Sequence, residues 1–339
     1  MKKDILSMLP EEYNIVELGA PSYRAIQIFE WLHCRGVDSF EKMANLPKEL
    51  RGLLELNYKI STCRPVEVKA SAKDGTHKFL YALDDDVLIE SVRMEYNYGS
   101  SICISTQAGC RMGCKFCASA EGGLIRNLTA GEMCAQVYSS LQGKKLAGIV
   151  LMGCGEPLDN YQQVTRFIEL ICHLKGAGVG ARHITISTCG LVPQIKELAD
   201  LKLQITLAIS LHGANDDIRR EFMPIAKRYP ISELMEACRY YISKTNRRIT
   251  FEYALVRGIN DRPEDALALS KLLSGMLCHV NLIPVNAGAG DYLPTLRREA
   301  EAFAAVLGKN RIQATIRRTI GEDVDAACGQ LRAKKMERL

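Results

Sequence analysis

Gly109-Cys110-Arg111-Met112-Gly113-Cys114-Lys115-Phe116-Cys117 sets three cysteines in a C-x3-C-x2-C run. Thiolates this close along a chain can reach one inorganic centre, and the sequence offers no fourth ligand beside them. A 4Fe–4S cluster held by three cysteines keeps one iron open for a small molecule, and thiolate sets are the usual iron–sulfur ligands. Structural zinc is the alternative, but it wants four closed ligands, commonly as two C-x2-C pairs. The spacing favours the cluster.

Outward from this run, toward the carboxyl end, strand and helix patterns alternate. Candidate strands are Ile102–Ser105, Gly148–Met152, His183–Ser187, Gln204–Ser210, Thr250–Leu255 and His279–Pro284. Helical stretches lie between them near Gly131–Leu141, Tyr161–Lys175, Pro193–Leu201, Ile231–Lys244 and Glu264–Leu273. Thr129-Ala-Gly-Glu132 is a capping box that opens the first of these helices. Such alternation predicts a parallel sheet, and six units make an α/β fold of the partial (β/α)6 barrel type. A helix at Arg297–Leu307 and a strand at Ala314–Arg317 come before a basic tail. Toward the amino end, Ser22–Cys34, Ser39–Met43 and Pro47–Leu56 read as helices, with Ile26, Ile28, Phe29 and Leu32 at helical spacings. From Val66 to Met94 the alternation is strand-like, with a hairpin turn at Asp84-Asp85-Asp86. The expected organisation is a small helical accessory domain at 1–62, a β-rich linker at 63–96, the barrel at 97–320 and a carboxyl-terminal segment at 321–339.

Length and composition agree with this. At 339 residues, 47% hydrophobic, the chain can bury one large core and a smaller one. There is no internal repeat and no low-complexity tract. The opening Met1-Lys2-Lys3-Asp4 is polar, and no apolar run nears the roughly 18 residues of a spanning helix. The expectation is a cytoplasmic protein with no membrane contact, whose 13 cysteines are thiols and metal ligands rather than a disulfide framework. A net charge of +5 is compatible with a polyanionic partner without demanding one.

In barrels of this kind the chemistry sits at the carboxyl ends of the strands. The cysteine run follows the first candidate strand, Gly153-Cys-Gly-Glu-Pro157 the second and Ser187-Thr-Cys-Gly190 the third. Ser210-Leu-His212 follows the fourth and Pro284-Val-Asn286 the sixth. The cysteine spacing resembles that of the radical S-adenosylmethionine (SAM) enzymes. The resemblance implies a 4Fe–4S cluster on Cys110, Cys114 and Cys117, with the amino and carboxylate groups of SAM on the open iron. Glu156 is then a candidate acceptor for the amino group, with Gly153 and Gly155 letting the backbone approach. Ser187, Ser210, Leu211 and His212 are candidates for the carboxylate or ribose, and Asn286 for the ribose or adenine.

A narrower resemblance rests on several stretches. Cys103-Ile-Ser-Thr-Gln-Ala-Gly-Cys110 through Cys117, Arg126-Asn-Leu-Thr129, Met223-Pro-Ile225, Arg248-Ile-Thr-Phe-Glu-Tyr253, His279-Val-Asn-Leu-Ile-Pro284 and Asp325-Ala-Ala-Cys-Gly-Gln-Leu331 are similar to the RlmN/Cfr family. That family consists of adenine-methylating radical SAM enzymes, and the likeness runs over roughly residues 20 to 335. Gly155-Glu-Pro157 and His279-Val-Asn281 lean toward the RlmN branch. The resemblance implies methylation of carbon 2 of an adenine in 23S ribosomal RNA, and in some transfer RNAs, with two SAM molecules per turnover. It implies that Cys328 is methylated on sulfur, becomes a methylene radical, adds to the base and is released as a disulfide with Cys103. Cys103 and Glu90 are alternative acceptors of the ring proton. It further implies an external one-electron reductant such as flavodoxin or ferredoxin, and a monomer.

Basic candidates for RNA contact include Arg182, Arg219, Arg220, Arg228, Arg248 and Arg317, and the helical amino-terminal region is the expected extra docking element. Cys154 stands where relatives usually carry Met or Ile, and Asn286-Ala-Gly-Ala-Gly-Asp291 is plainer than the loop of many relatives. The other cysteines, Cys189 among them, read as packing residues. Two competing readings stand beside this one. One is another radical enzyme, either a carbon-8 methyltransferase or a glycyl-radical activase. The other is a non-catalytic RNA-binding protein with structural zinc.

Overall fold

The computed structural model describes residues 2–285, 292–317 and 324. Asn286 and Cys328 lie outside the described residues. The amino-terminal part contains β1 (Lys3–Asp4), α1 (Tyr23–His33), α2 (Lys48–Asn57) and β2 (Tyr58–Lys59), with β1 and β2 paired in parallel. Helix α1 buries Ala25, Ile28, Phe29 and Leu32, one stripe at helical spacing. The segment expected as a helix over Ser39–Met43 is a single 3-10 turn at Phe40–Lys42. It is too short to propagate and is held by burial of Phe40.

Four strands follow: β3 (Arg64–Ala70), β4 (His77–Ala82), β5 (Leu88–Tyr96) and β6 (Gly99–Cys103), joined antiparallel in order. The turn between β4 and β5 falls at the three aspartates, where Asp86 takes the left-handed φ of 59° that acidic turn residues tolerate. A short antiparallel pair, β7 (Gln107–Gly109) and β8 (Leu124–Asn127), brackets the cysteine run.

The chain then runs α3 (Ala130–Leu141), β9 (Leu146–Leu151), α4 (Tyr161–Cys172), β10 (Ile184–Thr188), α5 (Val192–Asp200), β11 (Thr206–Ser210), α6 (Asp216–Phe222), α7 (Ile231–Thr245), β12 (Ile249–Leu255), α8 (Pro263–Leu272), β13 (Cys278–Pro284), α9 (Arg297–Lys309) and β14 (Ala314–Ile316). One ten-stranded sheet has the order β14-β13-β12-β11-β10-β9-β6-β5-β4-β3. Every pairing from β6 to β14 is parallel. The architecture is the α/β one that the alternation predicted, and the 63–96 strands extend the barrel sheet past β6. Ile102, Ile149, Ile186, Leu207, Phe251 and Val280, one from each of six parallel strands, are wholly buried and form the seam between sheet and helices.

The amino-terminal part is locked onto α3 and α4. Asp4 accepts hydrogen bonds from Leu6 N–H, the Ser7 hydroxyl, Ser61 N–H and the Ser61 hydroxyl. The Ser7 hydroxyl accepts in turn from Gly131 N–H at the start of α3. A side chain at Gly131 would put its Cβ 2.1 Å from the Asp4 carboxylate, so only glycine permits this approach. Arg166 of α4 donates to Ser7 O and pairs with Glu12.

His33 of α1 is buried between Phe29 and Tyr138, with Nδ1 2.8 Å from the tyrosine hydroxyl. Burial, aided by His173, pushes its pKa down to about 3. The unfolded chain binds a proton below pH 6.5 that this folded histidine refuses, so its contribution to stability is lost as pH falls through that range. The loss is about 1.4 kcal/mol by pH 5.5. A His33→Gln protein is expected to show a shallower fall of its urea midpoint between pH 7.5 and 5.5 than the wild type. Identical pH slopes would refute the assignment.

Candidate active site

Strand β6 carries the chain to the carboxyl rim of the sheet, and β7 turns it into the cysteine loop. Gly109 adopts φ +81°, and a Cβ there would fall 2.0 Å from Gly123 O. This glycine lets the loop close on its return strand, where Cys110 N–H donates to Gly123 O. Lys115 N–H donates to Phe222 O, which pins the loop to the end of α6. Phe116 sits edge-on to Phe222 and to His212.

The rim motifs converge. One cavity of about 210 Å³ is lined by Cys110, Cys114 and Cys117 together with Gly153, Gly155, Glu156, Ser187, Ser210 and His212. Leu211 does not line it; its side chain is wholly buried and its N–H donates to Glu252 O. Gly155 has φ +108°, and a Cβ there would meet the Gln107 side chain at 2.6 Å. The Gly153-Cys-Gly-Glu turn therefore lies flat against the cysteine hairpin. Gln107 secures it by accepting from Glu156 N–H at 2.8 Å.

Glu156 is buried, and its two carboxylate oxygens accept from Leu158 N–H and Cys189 N–H at 3.0 and 2.7 Å. Burial raises its pKa, while the donors from Cys189, Thr188 and Leu158 act the other way. The carboxylate is thus fixed in place with lone pairs still available to a cationic group. His212 takes a left-handed φ of 55°, a strain that clusters at functional sites. Its Nδ1 accepts from Ala254 N–H at 2.9 Å, which assigns the proton to Nε2. Burial, then the Arg219 charge, pushes its pKa down to about 3. His212 is a neutral donor at any physiological pH rather than an acid–base group.

Burial pushes the thiols of Cys110 and Cys114 up to about 12, and the neighbouring cysteines and Glu156 add to the effect. Three bare thiolates would be unfavourable here, and a positively charged inorganic core relieves both burial and mutual repulsion. The donor set, its spacing and the shared cavity fit a 4Fe–4S cluster. Among the described residues no three His, Cys, Asp or Glu side chains already stand at the separations of a bound metal ion.

Glu90, the candidate proton acceptor, is buried in β5. Its carboxylate pairs with Lys78 of β4 at 3.2 Å, and Lys78 is wholly buried too. Cys103 lies opposite Val92, and Val92 opposite Lys78. By strand alternation Glu90, Val92, Lys78 and Cys103 share one face of the sheet. The lysine was not anticipated: a lone Lys in a strand carries no local mark of its partner.

Three further residues escaped the sequence reading. Glu252 of β12 is buried against the cavity and accepts from Asn281 Nδ2 at 2.8 Å; an acid inside an apolar strand was its visible signal. Cys189, read as a packing residue, lines the cavity and hydrogen-bonds Glu156. Arg219, read as a cation for RNA, is instead wholly buried on α6. Its helix covers the back of the cysteine loop, and the amphipathic pattern of seven residues (Asp216–Phe222) is too short to be seen beforehand.

Comparison with known proteins places this geometry. Residues 104–269 match the family model of the radical SAM superfamily, and residues 11–60 match that of the ribosomal RNA large subunit methyltransferase N-terminal domain. The chain is 51% identical over 335 residues to the "Probable dual-specificity RNA methyltransferase RlmN" of Clostridium perfringens strain 13, covering 97% of this chain and 96% of that one. A protein of the same name from Clostridium botulinum strain Alaska E43 is 52% identical over the same shares. A crystal structure of a radical SAM methyltransferase from Sphaerobacter thermophilus superposes with a TM-score of 0.93 at 42% identity, covering 98% of this chain and 99% of that one.

Proposed function

The chain belongs to the RlmN family of radical SAM RNA methyltransferases, and from that premise we propose that it methylates carbon 2 of a specific adenine in 23S ribosomal RNA and in some transfer RNAs. It is an RNA methyltransferase that uses a 4Fe–4S cluster and SAM. The observation that carries the proposal is the single cavity joining the cysteine trio to Glu156, Ser187, Ser210 and His212.

Adenine ring carbons are poor nucleophiles, and the bound cluster and cofactor supply the carbon-radical chemistry that overcomes this. The chain's own residues hold and direct it. Cys110, Cys114 and Cys117 would hold the cluster. Glu156, fixed by two backbone donors, receives the cofactor's amino group, and Gly153 and Gly155 let the backbone beside it close against Ile104 and Gln107. Ser187, Ser210 and the Nε2–H of His212 are donors for the carboxylate or ribose, and Asn286 for the ribose or adenine.

Cys328 carries the methyl group as S-methylcysteine, its thiolate having been alkylated by a first SAM, and delivers the carbon to the base. The covalent link to RNA is broken when Cys103 forms a disulfide with Cys328. The ring proton goes to Cys103 or to Glu90, the carboxylate held by Lys78 on the same sheet face. Carbon 2 is favoured over carbon 8 by Gly155-Glu-Pro157 and His279-Val-Asn281, and the double substrate by the dual specificity in the relatives' names.

The enzyme works as a cytoplasmic monomer fed by a one-electron donor such as flavodoxin or ferredoxin; among the described residues no helix is long and apolar enough to cross a membrane. Nucleoside mass spectrometry tests the reaction in cells lacking their own enzyme and supplied with this chain. We expect 2-methyladenosine to return; 8-methyladenosine alone, or neither product, would overturn the proposal.

The amino-terminal domain docks the folded RNA, away from the chemistry. Charge reversal of exposed Arg35 and Lys48 is expected to raise the KM for RNA about tenfold and to flatten its salt dependence, with reductive SAM cleavage unchanged. An unaltered KM would refute the docking role.

A further inference from the structure

Arg219 is wholly buried, and a buried cation normally has a carboxylate against it. Here Nη2 donates to the carbonyl oxygen of Cys189 at 2.6 Å. Nε and Nη1 have no hydrogen-bond partner among the described residues. Asp216, on the same helix, acts on it at a distance, but its ion pair at 3.8 Å is with Arg220 and its hydrogen bond comes from Ile231 N–H. The guanidinium is also held tightly. A Cβ on Gly190 would lie 3.0 Å from Nη2, and one on Gly213 would lie 2.9 Å from Arg219 N. Gly190 therefore makes room for the guanidinium, and Gly213 for the backbone of its helix. The residue that the guanidinium grips, Cys189, lines the cavity, and α6 supports the cysteine loop through Lys115 N–H to Phe222 O. A charge kept this deep, with two N–H groups unsatisfied among the described residues, leaves positive charge behind the cysteine loop for an anion to balance.

We propose that Arg219 is the buried counter-cation of the cluster, and that its fixed charge raises the cluster's reduction potential. Three thiolates make the assembly anionic, and one-electron reduction adds a further negative charge. A cation behind the cysteine loop stabilises the reduced form more than the oxidised one. Net charge and hydrogen bonding near the sulfurs are established determinants of such potentials. This inference rests on the three-cysteine cluster and not on which RNA carbon is methylated, so nucleoside analysis cannot decide it.

The test uses Arg219→Met and Arg219→Lys in the full chain, first without iron and then reconstituted. Without the cluster the guanidinium is an uncompensated buried charge, so the apo Arg219→Met protein is expected to melt no lower than the apo wild type. Reconstituted, it should hold the same iron per chain. Its midpoint by spectroscopic redox titration should lie more negative by at least a tenfold shift in the reduction equilibrium, 59 mV for one electron. Arg219→Lys should recover most of that shift. Failure of folded apo Arg219→Met to load iron, with loading restored in Arg219→Lys, also supports the counter-cation. The proposal is overturned by an apo Arg219→Met protein that does not fold, by a loaded one with the wild-type midpoint, or by an Arg219→Lys protein that restores neither loading nor potential.

Discussion

A Cys114→Ala protein is expected to purify folded but with little iron or sulfide, and to show neither reductive SAM cleavage nor RNA methylation. Removing an outer partner of a metal ligand costs about 10–100-fold in metal affinity; removing one of only three ligands exceeds that. Cys114 is half-buried and its thiol is disfavoured as a thiolate, so its loss should not unfold the chain. The substitution deletes one sulfur from a loop tied at both ends, by Cys110 N–H to Gly123 O and by Lys115 N–H to Phe222 O. Cys110→Ala and Cys117→Ala should behave alike. Iron and sulfide analysis on protein prepared without oxygen checks this. A Cys114→Ala protein carrying full iron and cleaving SAM would remove the central assignment, and the zinc reading would then return.

A Cys328→Ala protein should differ in kind. The cluster and cofactor residues are untouched, so iron content and reductive SAM cleavage are expected to persist while methylated RNA falls to background, because the methyl carrier is absent. Cys103→Ala should show a third phenotype. On the proposed mechanism the carrier would still be methylated and add to the base with nothing to resolve the link, so a covalent RNA–protein adduct at Cys328 should accumulate on denaturing gels.

The position of Cys103 suits that role. It ends β6 in a largely buried setting, on the sheet face that holds the Lys78–Glu90 pair. Free methylated RNA released by Cys103→Ala at the wild-type rate contradicts the resolving role. Methylated RNA made by Cys328→Ala contradicts the carrier.

The amino-acid sequence alone determined what is local. Three cysteines within eight residues must share a loop. Gly153-Cys-Gly-Glu, Ser187, Ser210 and His212 each lie at or just past the end of a recognisable strand, so strand–helix alternation by itself brings them to one rim. Strand and helix positions were readable for the same reason, because hydrophobic period and capping residues act over a few neighbours. Tertiary structure alone decided where charges go. Arg219 reads like any surface arginine of a helix, yet the fold turns it inward behind the cysteine loop. Lys78 and Glu90 stand 12 positions apart in sequence and meet only because β4 and β5 pair in one register. Glu252 becomes part of the cavity wall only when β12 is set beside β11. Whether a charge is solvated or buried depends on what packs over it from far along the chain, and no short window of residues carries that information.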